Sequence, residues 1–196
     1  MIKGNHVQSQ HEASDSTNFG DGPMMPENTY EDRFDRTFAF IDLSGFTRFT
    51  DLMGDKAALE EINTFRAIVR EIASRKGIRI AKWLGDGAML VAVEPETATE
   101  AIMEMQGRMG EIHENLSMRA GLASGHVLMV DGEDHIGKAV NLAARLCGLA
   151  DPGEVLATKE MMTALMVNTP SESVGKRDID GFAEMVEVVR LEMTSF

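Results

Sequence analysis

The folded part of this chain opens on RTFAFIDL, residues 36–43, a short continuous apolar run that reads as a buried strand. The elements after it alternate in a fixed order. A long helix runs through KAALEEINTFRAIVREIASRKG, with Leu59, Ile62, Ile68 and Ile72 near helical spacing and Gly77 as its stop. IRIAKWL and AMLVAV flank a tight Gly-Asp-Gly turn and read as a hairpin. A second helix is expected from Glu96 to about Asn115, with Ile102, Met105, Met109 and Ile112 on one stripe. MRAGLASGHVLMV reads as strand, glycine turn, strand, and AVNLAARLCGLA as a third helix closed by Asp151-Pro152-Gly153. EVLAT, a short helix at 159–167 and the strand MVEVVRL complete the chain. The order βαββαβ plus additions predicts an α+β fold. Its core is ferredoxin-like (split βαβ), with extra strands and helices, the helices covering one sheet face.

Residues 1–34 are polar, rich in Ser, Asn, Gly and acidic side chains, and include Pro23 and Pro26. That composition buries too little apolar area to offset its ordering entropy, so a mobile tail is expected there and one domain over 35–196. His6 and His11 stand in the tail without any ligand spacing around them. A net charge of −13 argues against a nucleic-acid partner, which would meet a basic face. An anionic small substrate stays compatible with it where metal ions or local Arg and Lys neutralise the charge. The single cysteine, Cys147, excludes an intrachain disulfide framework and reads as an inert core thiol. The fifteen methionines read as core filling. No apolar run approaches the roughly 20 residues of a membrane span, and no signal-peptide pattern opens the chain. The expectation is a soluble, cytoplasmic protein with no membrane partner.

Two carboxylates carry the first chemical signal. Asp42 ends the first strand, and Asp86 sits at the tip of the hairpin in KWLGDGAML. In a split-βαβ sheet these two points approach one another, and a carboxylate pair suits Mg²⁺, which takes oxygen ligands and leaves room for substrate phosphates. Asp42 serves equally well as a cap for the next helix, and Gly-Asp-Gly is a common hairpin turn without chemistry. The Ser44-Gly45-Phe46-Thr47 turn opens that helix, where free backbone N–H groups and the helix dipole favour an anion.

Taken together, FIDLSGFT, KWLGD, MRAGLASG and DHIGKAVNLAARL resemble the class III nucleotide cyclases in order and spacing, and DGFAEMVEVVRL resembles their closing strand. The resemblance runs from about residue 35 to the C-terminus, and the brevity of MVDGED resembles the short-arm bacterial subtype. It implies a homodimer with two active sites between the subunits. Asp42 and Asp86 match the family's metal-binding aspartates, and Lys82 and Asp134 match its purine-reading pair. Asn141 and Arg145 match its transition-state pair, and Arg119 its phosphate-binding arginine. In the family, Lys82, Asp134, Asn141 and Arg145 correspond to residues from the partner chain and Arg119 to one on the metal-bearing chain; the turn through Gly45, Phe46 and Thr47 is expected to bring its backbone N–H groups to the phosphates. One position departs. Asp180 stands where the family commonly carries a lysine that reaches the polyphosphate; either Lys176 or Arg177 substitutes for it, or phosphate binding rests on Arg119, the backbone turn and metal, with weaker ATP affinity expected.

The residue chemistry agrees with that resemblance. Lys82 only donates and ionised Asp134 only accepts, which complements adenine N1 and its exocyclic amine, whereas guanine reverses both groups. Asn141 and Arg145 share a helix face at i, i+4 beside an apolar stripe of Leu142, Leu146 and Leu149. There Arg145 can meet charge growing on the α-phosphate and Asn141 can orient the ribose. The expected activity is adenylate cyclase, ATP to 3′,5′-cyclic AMP and pyrophosphate, with two Mg²⁺ or Mn²⁺ ions. Its rivals are a guanylate or promiscuous cyclase, a non-catalytic cyclase-like domain that dimerises or binds nucleotide, and a generic ferredoxin-like binding module.

Overall fold

A computed structural model describes residues 33–112, 116–130, 134–166 and 168–192. The expected tail therefore lies outside the described residues, except that Arg33 and Phe34 already belong to the first strand. Among the described residues, eight strands and three α-helices follow in sequence. β1 spans Arg33–Ser44, α1 Phe46–Lys76, β2 Arg79–Leu84, β3 Gly87–Ala92 and α2 Pro95–Ile112. β4 spans Ser117–Val130, β5 Asp134–Ile136, α3 Lys138–Leu149, β6 Val155–Thr158, β7 Ser171–Arg177 and β8 Val186–Leu191.

The sheet order is β2-β3-β1-β4-β6-β8-β7, with β5 folded against the end of β4. Its first four strands are antiparallel neighbours, which is the split-βαβ core that the element order predicts. β6 joins β4 in parallel and carries the β8–β7 extension.

Alternation along the central strands supplies two cores. Ala39, Ile41 and Leu43 of β1 face one side, with Ala88 and Leu90 of β3 and Phe65, Ile72, Ile102 and Met105 of α1 and α2. Phe38 and Phe40 face the other, with Met89, Val91, Ala143 and Leu146. The helices thus cover both faces, α1 and α2 on one and α3 on the other, where the sequence predicts one covered face. The reason lies in β1 and β3, whose residues are apolar at consecutive positions. A strand buried on both sides needs cover on both.

Several expected elements differ. α1 begins at Phe46, and Gly54 (φ 82°, ψ 165°) breaks its helical path before the long second part. That part stops at Gly77, whose left-handed backbone (φ 68°) returns its N–H to the last turn, beside the helix-end cations Arg75 and Lys76. Leu59, Ile112 and Leu149 are exposed: Ile112 and Leu149 are the last residues of α2 and α3, and Leu59 lies in α1 five residues after the break at Gly54. Gly125 makes no turn, since β4 is one continuous strand in which Gly125 opposes Arg36 and Ser124 bonds Thr37 (Oγ–Oγ1 2.7 Å). The helix expected at 159–167 reduces to a single 3-10 turn, Lys159–Met161. β7 went unforeseen because its sequence, SESVGKR, is polar and almost wholly exposed.

Gly121 decides where α3 lies. A Cβ there would stand 2.1 Å from the Cys147 nitrogen and 2.3 Å from the Ala143 carbonyl oxygen. Only a glycine in β4 lets the helix backbone press this closely onto the strand. Among the described residues, no helix is long and apolar enough to cross a membrane.

Candidate active site

Strand register assembles the first group. Asp42 pairs with Gly87 of β3 on one side and with Arg119 of β4 on the other. Residues directly opposite in a sheet share a face, so Arg119 projects beside Asp42. Its Nε and Nη2 donate to Asp42 Oδ2 at 3.0 and 2.7 Å, with the two side chains 31% and 28% exposed. This hydrogen bond is the main cause holding the guanidinium above its ordinary pKa.

Asp86 precedes Gly87, and its carbonyl accepts from the Leu43 N–H at 3.3 Å. A Cβ on Gly87 would lie 2.5 Å from the Ile41 carbonyl, so the close approach of hairpin to β1 requires glycine. Burial, and after it the charge of Asp42, raises the Asp86 carboxyl above its ordinary value. The corner therefore holds two carboxylates and one arginine. Its donor set is hard oxygen, which fits a small divalent cation. Among the described residues no cluster of three or more His, Cys, Asp or Glu forms, so such a cation would draw its other ligands from water or substrate.

The question of whether Asp42 caps the helix is answered by Gly45, which is the N-cap residue (φ 81°) and has no side-chain cap. Asp42 turns instead to Arg119. The α1 start at Phe46 and Thr47 stands directly after this corner, and Ser44 Oγ is buried there without a hydrogen-bond partner.

The second group lies on the same sheet face. Lys82 opposes Met89, which opposes Phe40, and Asp42 follows two residues later, so all four share the α3 side. A β-bulge between Ile80 and Lys82 sets that register. Lys82 Nζ reaches Asp134 Oδ1 of β5 at 2.5 Å, and this bond chiefly holds the Asp134 carboxyl below its ordinary value. Next to it, His135 rests edge-on against Phe38, ring centroids 5.3 Å apart.

The third group is on α3. Leu142 and Leu146 are buried and leave Asn141 and Arg145 exposed on one side. Both line a cleft of about 680 Å³ with Lys138, Asp180 and Phe182. Arg145 Nη2 meets Asp180 Oδ2 at 3.5 Å, the side chains being 56% and 91% exposed. The position where a lysine was expected thus carries a carboxylate aimed at the arginine. Lys176 and Arg177 are paired into β7 opposite Glu187 and Val186, while Lys138 lines the cleft. Sequence reasoning does not single out Lys138 as a site residue. Its spacing of three from Asn141 and seven from Arg145 was the available signal.

The cleft lined by Asn141 and Arg145 includes none of Asp42, Asp86 and Arg119. Cys147, six residues beyond Asn141 on α3, is buried, and burial pushes its thiol up to about 12, so it is inert as expected.

The model of the adenylate and guanylate cyclase catalytic domain matches residues 29–192. An uncharacterized protein of Mycobacterium tuberculosis is 34% identical over 143 residues, which are 73% of this chain and 37% of that protein. An adenylate cyclase of Streptomyces coelicolor is 34% identical over 137 residues, 69% of this chain and 36% of that enzyme. The chain spans little more than a third of the length of these relatives. The crystal structure of the adenylyl cyclase CyaB from P. aeruginosa matches with a TM-score of 0.75 at 22% identity, covering 83% of this chain and 96% of that one. The guanylate cyclase domain of RhGC from Catenaria anguillulae, in complex with GTP, gives 0.73 at 18%, covering 83% and 99%. At these identities the structural likeness establishes the fold.

Proposed function

This chain belongs to the adenylate and guanylate cyclase catalytic domain family, and from that premise we propose that it is an adenylate cyclase working as a homodimer. The reaction is ATP to 3′,5′-cyclic AMP and pyrophosphate. The observation that carries the choice of ATP is the Lys82–Asp134 pair, a pure donor and a pure acceptor held 2.5 Å apart. Opened around a base, they match the acceptor N1 and the donor amine of adenine, and they mismatch both groups of guanine. A mismatch at both positions discriminates by orders of magnitude.

Asp42 and Asp86 would hold Mg²⁺ or Mn²⁺, two ions in all with the nucleotide. When bound, they supply acidification of the ribose 3′-hydroxyl and neutralisation of the triphosphate. Arg119, beside Asp42, offers a guanidinium for a phosphate, and the α1 start at Gly45, Phe46 and Thr47 offers backbone N–H groups. Asn141 orients the ribose, and Arg145 meets the charge that develops on the α-phosphate as the 3′-oxygen attacks. Because these two line a cleft apart from the aspartates, a complete site takes one group from each of two chains.

Two measurements test this. Turnover of ATP should exceed that of GTP, and a GTP preference would overturn the reading of Lys82 and Asp134. Asp42→Ala and Asn141→Ala proteins should each be inactive, and mixing them should restore cyclic AMP formation at the one intact site of the heterodimer. No recovery despite demonstrated chain exchange would sink the shared site.

A further inference from the structure

Gly85, at the tip of the β2–β3 hairpin, adopts φ +70° and has nothing within 4 Å of where a Cβ would stand. Packing does not fix this tip, and glycine leaves its backbone free. Yet the next residue is Asp86, which leads directly into Gly87, the cross-strand partner of Asp42. The Leu43 N–H holds the Asp86 carbonyl through one long bond, 3.3 Å. The second tether comes from α1, where the Arg66 guanidinium donates from Nη2 to the Gly85 carbonyl at 3.1 Å, across nineteen residues of sequence.

Arg66 is itself held. Its guanidinium carbon lies 5.1 Å from the centroid of the Trp83 ring, and Phe65 meets that ring edge-on with centroids 6.4 Å apart. Arg70, one turn later, lies over the same indole at 5.1 Å. A planar guanidinium on an aromatic face keeps its donors pointing in fixed directions, which a flexible ammonium does not. Helix, indole and hairpin tip therefore form one clamp, in which Trp83 and Gly85 belong to the strand and turn that deliver Asp86.

We propose that Arg66 is a positioning residue, which holds the Gly85 carbonyl and so keeps Asp86 turned toward Asp42. This rests on the reading of Asp42 and Asp86 as ligands of a divalent cation. Arg66 acts through the hairpin backbone and touches neither cation nor nucleotide. Loss of a partner that orients a ligand typically lowers metal affinity about 10–100-fold.

Trp83 is the sole tryptophan of the chain, so it reports on this hairpin alone. The full chain, free of nucleotide, is titrated with Mn²⁺, a paramagnetic quencher, while Trp83 fluorescence is followed. Wild type should quench to saturation, and Asp86→Asn should lose the saturable phase. Arg66→Met keeps an apolar stem over the indole without donors, and its midpoint should rise about tenfold with thermal stability within a few degrees of wild type. Arg66→Lys restores one donor and should fall between the two. Should Arg66→Met titrate as wild type while Asp86→Asn does not, the positioning role is overturned and the metal reading stands. If wild type and Asp86→Asn titrate alike, the metal reading itself fails and takes this inference with it.

Discussion

The corner around Asp42 and the α3 face around Arg145 are built on opposite plans. In the corner, strand register sets Asp42 against Arg119 and Gly87, and the ion pair is more than two-thirds shielded. On α3, two residues stand on the exposed side of a helix whose other side is packed, and Arg145 pairs with the still more exposed Asp180. The corner is paired and packed within one chain, whereas α3 is anchored by Leu142 and Leu146 and leaves Asn141 and Arg145 in solvent.

Replacing one arginine on each side breaks the comparison most sharply. Arg145→Ala should leave thermal stability unchanged, because an exposed ion pair contributes little, and lower kcat by about 10²–10³ with a small change in KM. Arg119→Ala removes both charge-assisted hydrogen bonds from the shielded Asp42 carboxylate, and should cost about 1.5–3 kcal/mol of stability besides raising KM. Denaturant titration and steady-state kinetics on both variants check this. Equal stability losses would show that the two regions are not built differently.

A smaller effect is expected at Asp180. Asp180→Lys exchanges the carboxylate beside Arg145 for a donor to the polyphosphate, and should lower KM for ATP about tenfold, the worth of one charge-assisted hydrogen bond. An unchanged KM would separate Asp180 from the substrate path.

The smallest effect is in the pH dependence of the corner. Asp86 titrates above its ordinary value of 3.8. A raised carboxyl binds its proton more tightly in the folded state. Its stabilising contribution is thus full below the unfolded value and is lost as pH rises through the folded one. In the absence of divalent ions, Asp86→Asn should therefore melt slightly above wild type at pH 7, and the gap should close as pH falls to about 4. A gap that widens toward acid would contradict the sign.

Periodicity made the central elements legible. Ile102, Met105 and Met109 of α2, and Leu142 and Leu146 of α3, are buried where their spacing puts them. Chemistry made Asp42, Asp86, Lys82 and Asp134 legible as candidate pairs; the structure sets Asp86 next to Gly87, the cross-strand partner of Asp42, and joins Lys82 to Asp134. Polar or glycine-bearing segments were misread for a local reason. β7 has no apolar alternation to display, and Gly125 signals a turn unless its cross-strand partner Arg36 is known. The clamp on Gly85 was invisible because Arg66 and Trp83 are seventeen positions apart with no motif linking them.

By itself the sequence determined the order of elements, which residues point to a core, and which side chains have matching chemistry, since these depend on neighbours a few residues away. Tertiary structure alone decided that Asp42 meets Arg119 rather than a helix end, that Gly121 seats α3 on the sheet, and that Asp180 faces Arg145. Those outcomes depend on strand register and on backbone approaches of a few ångströms. Residues distant along the chain set them jointly, and no local pattern encodes them.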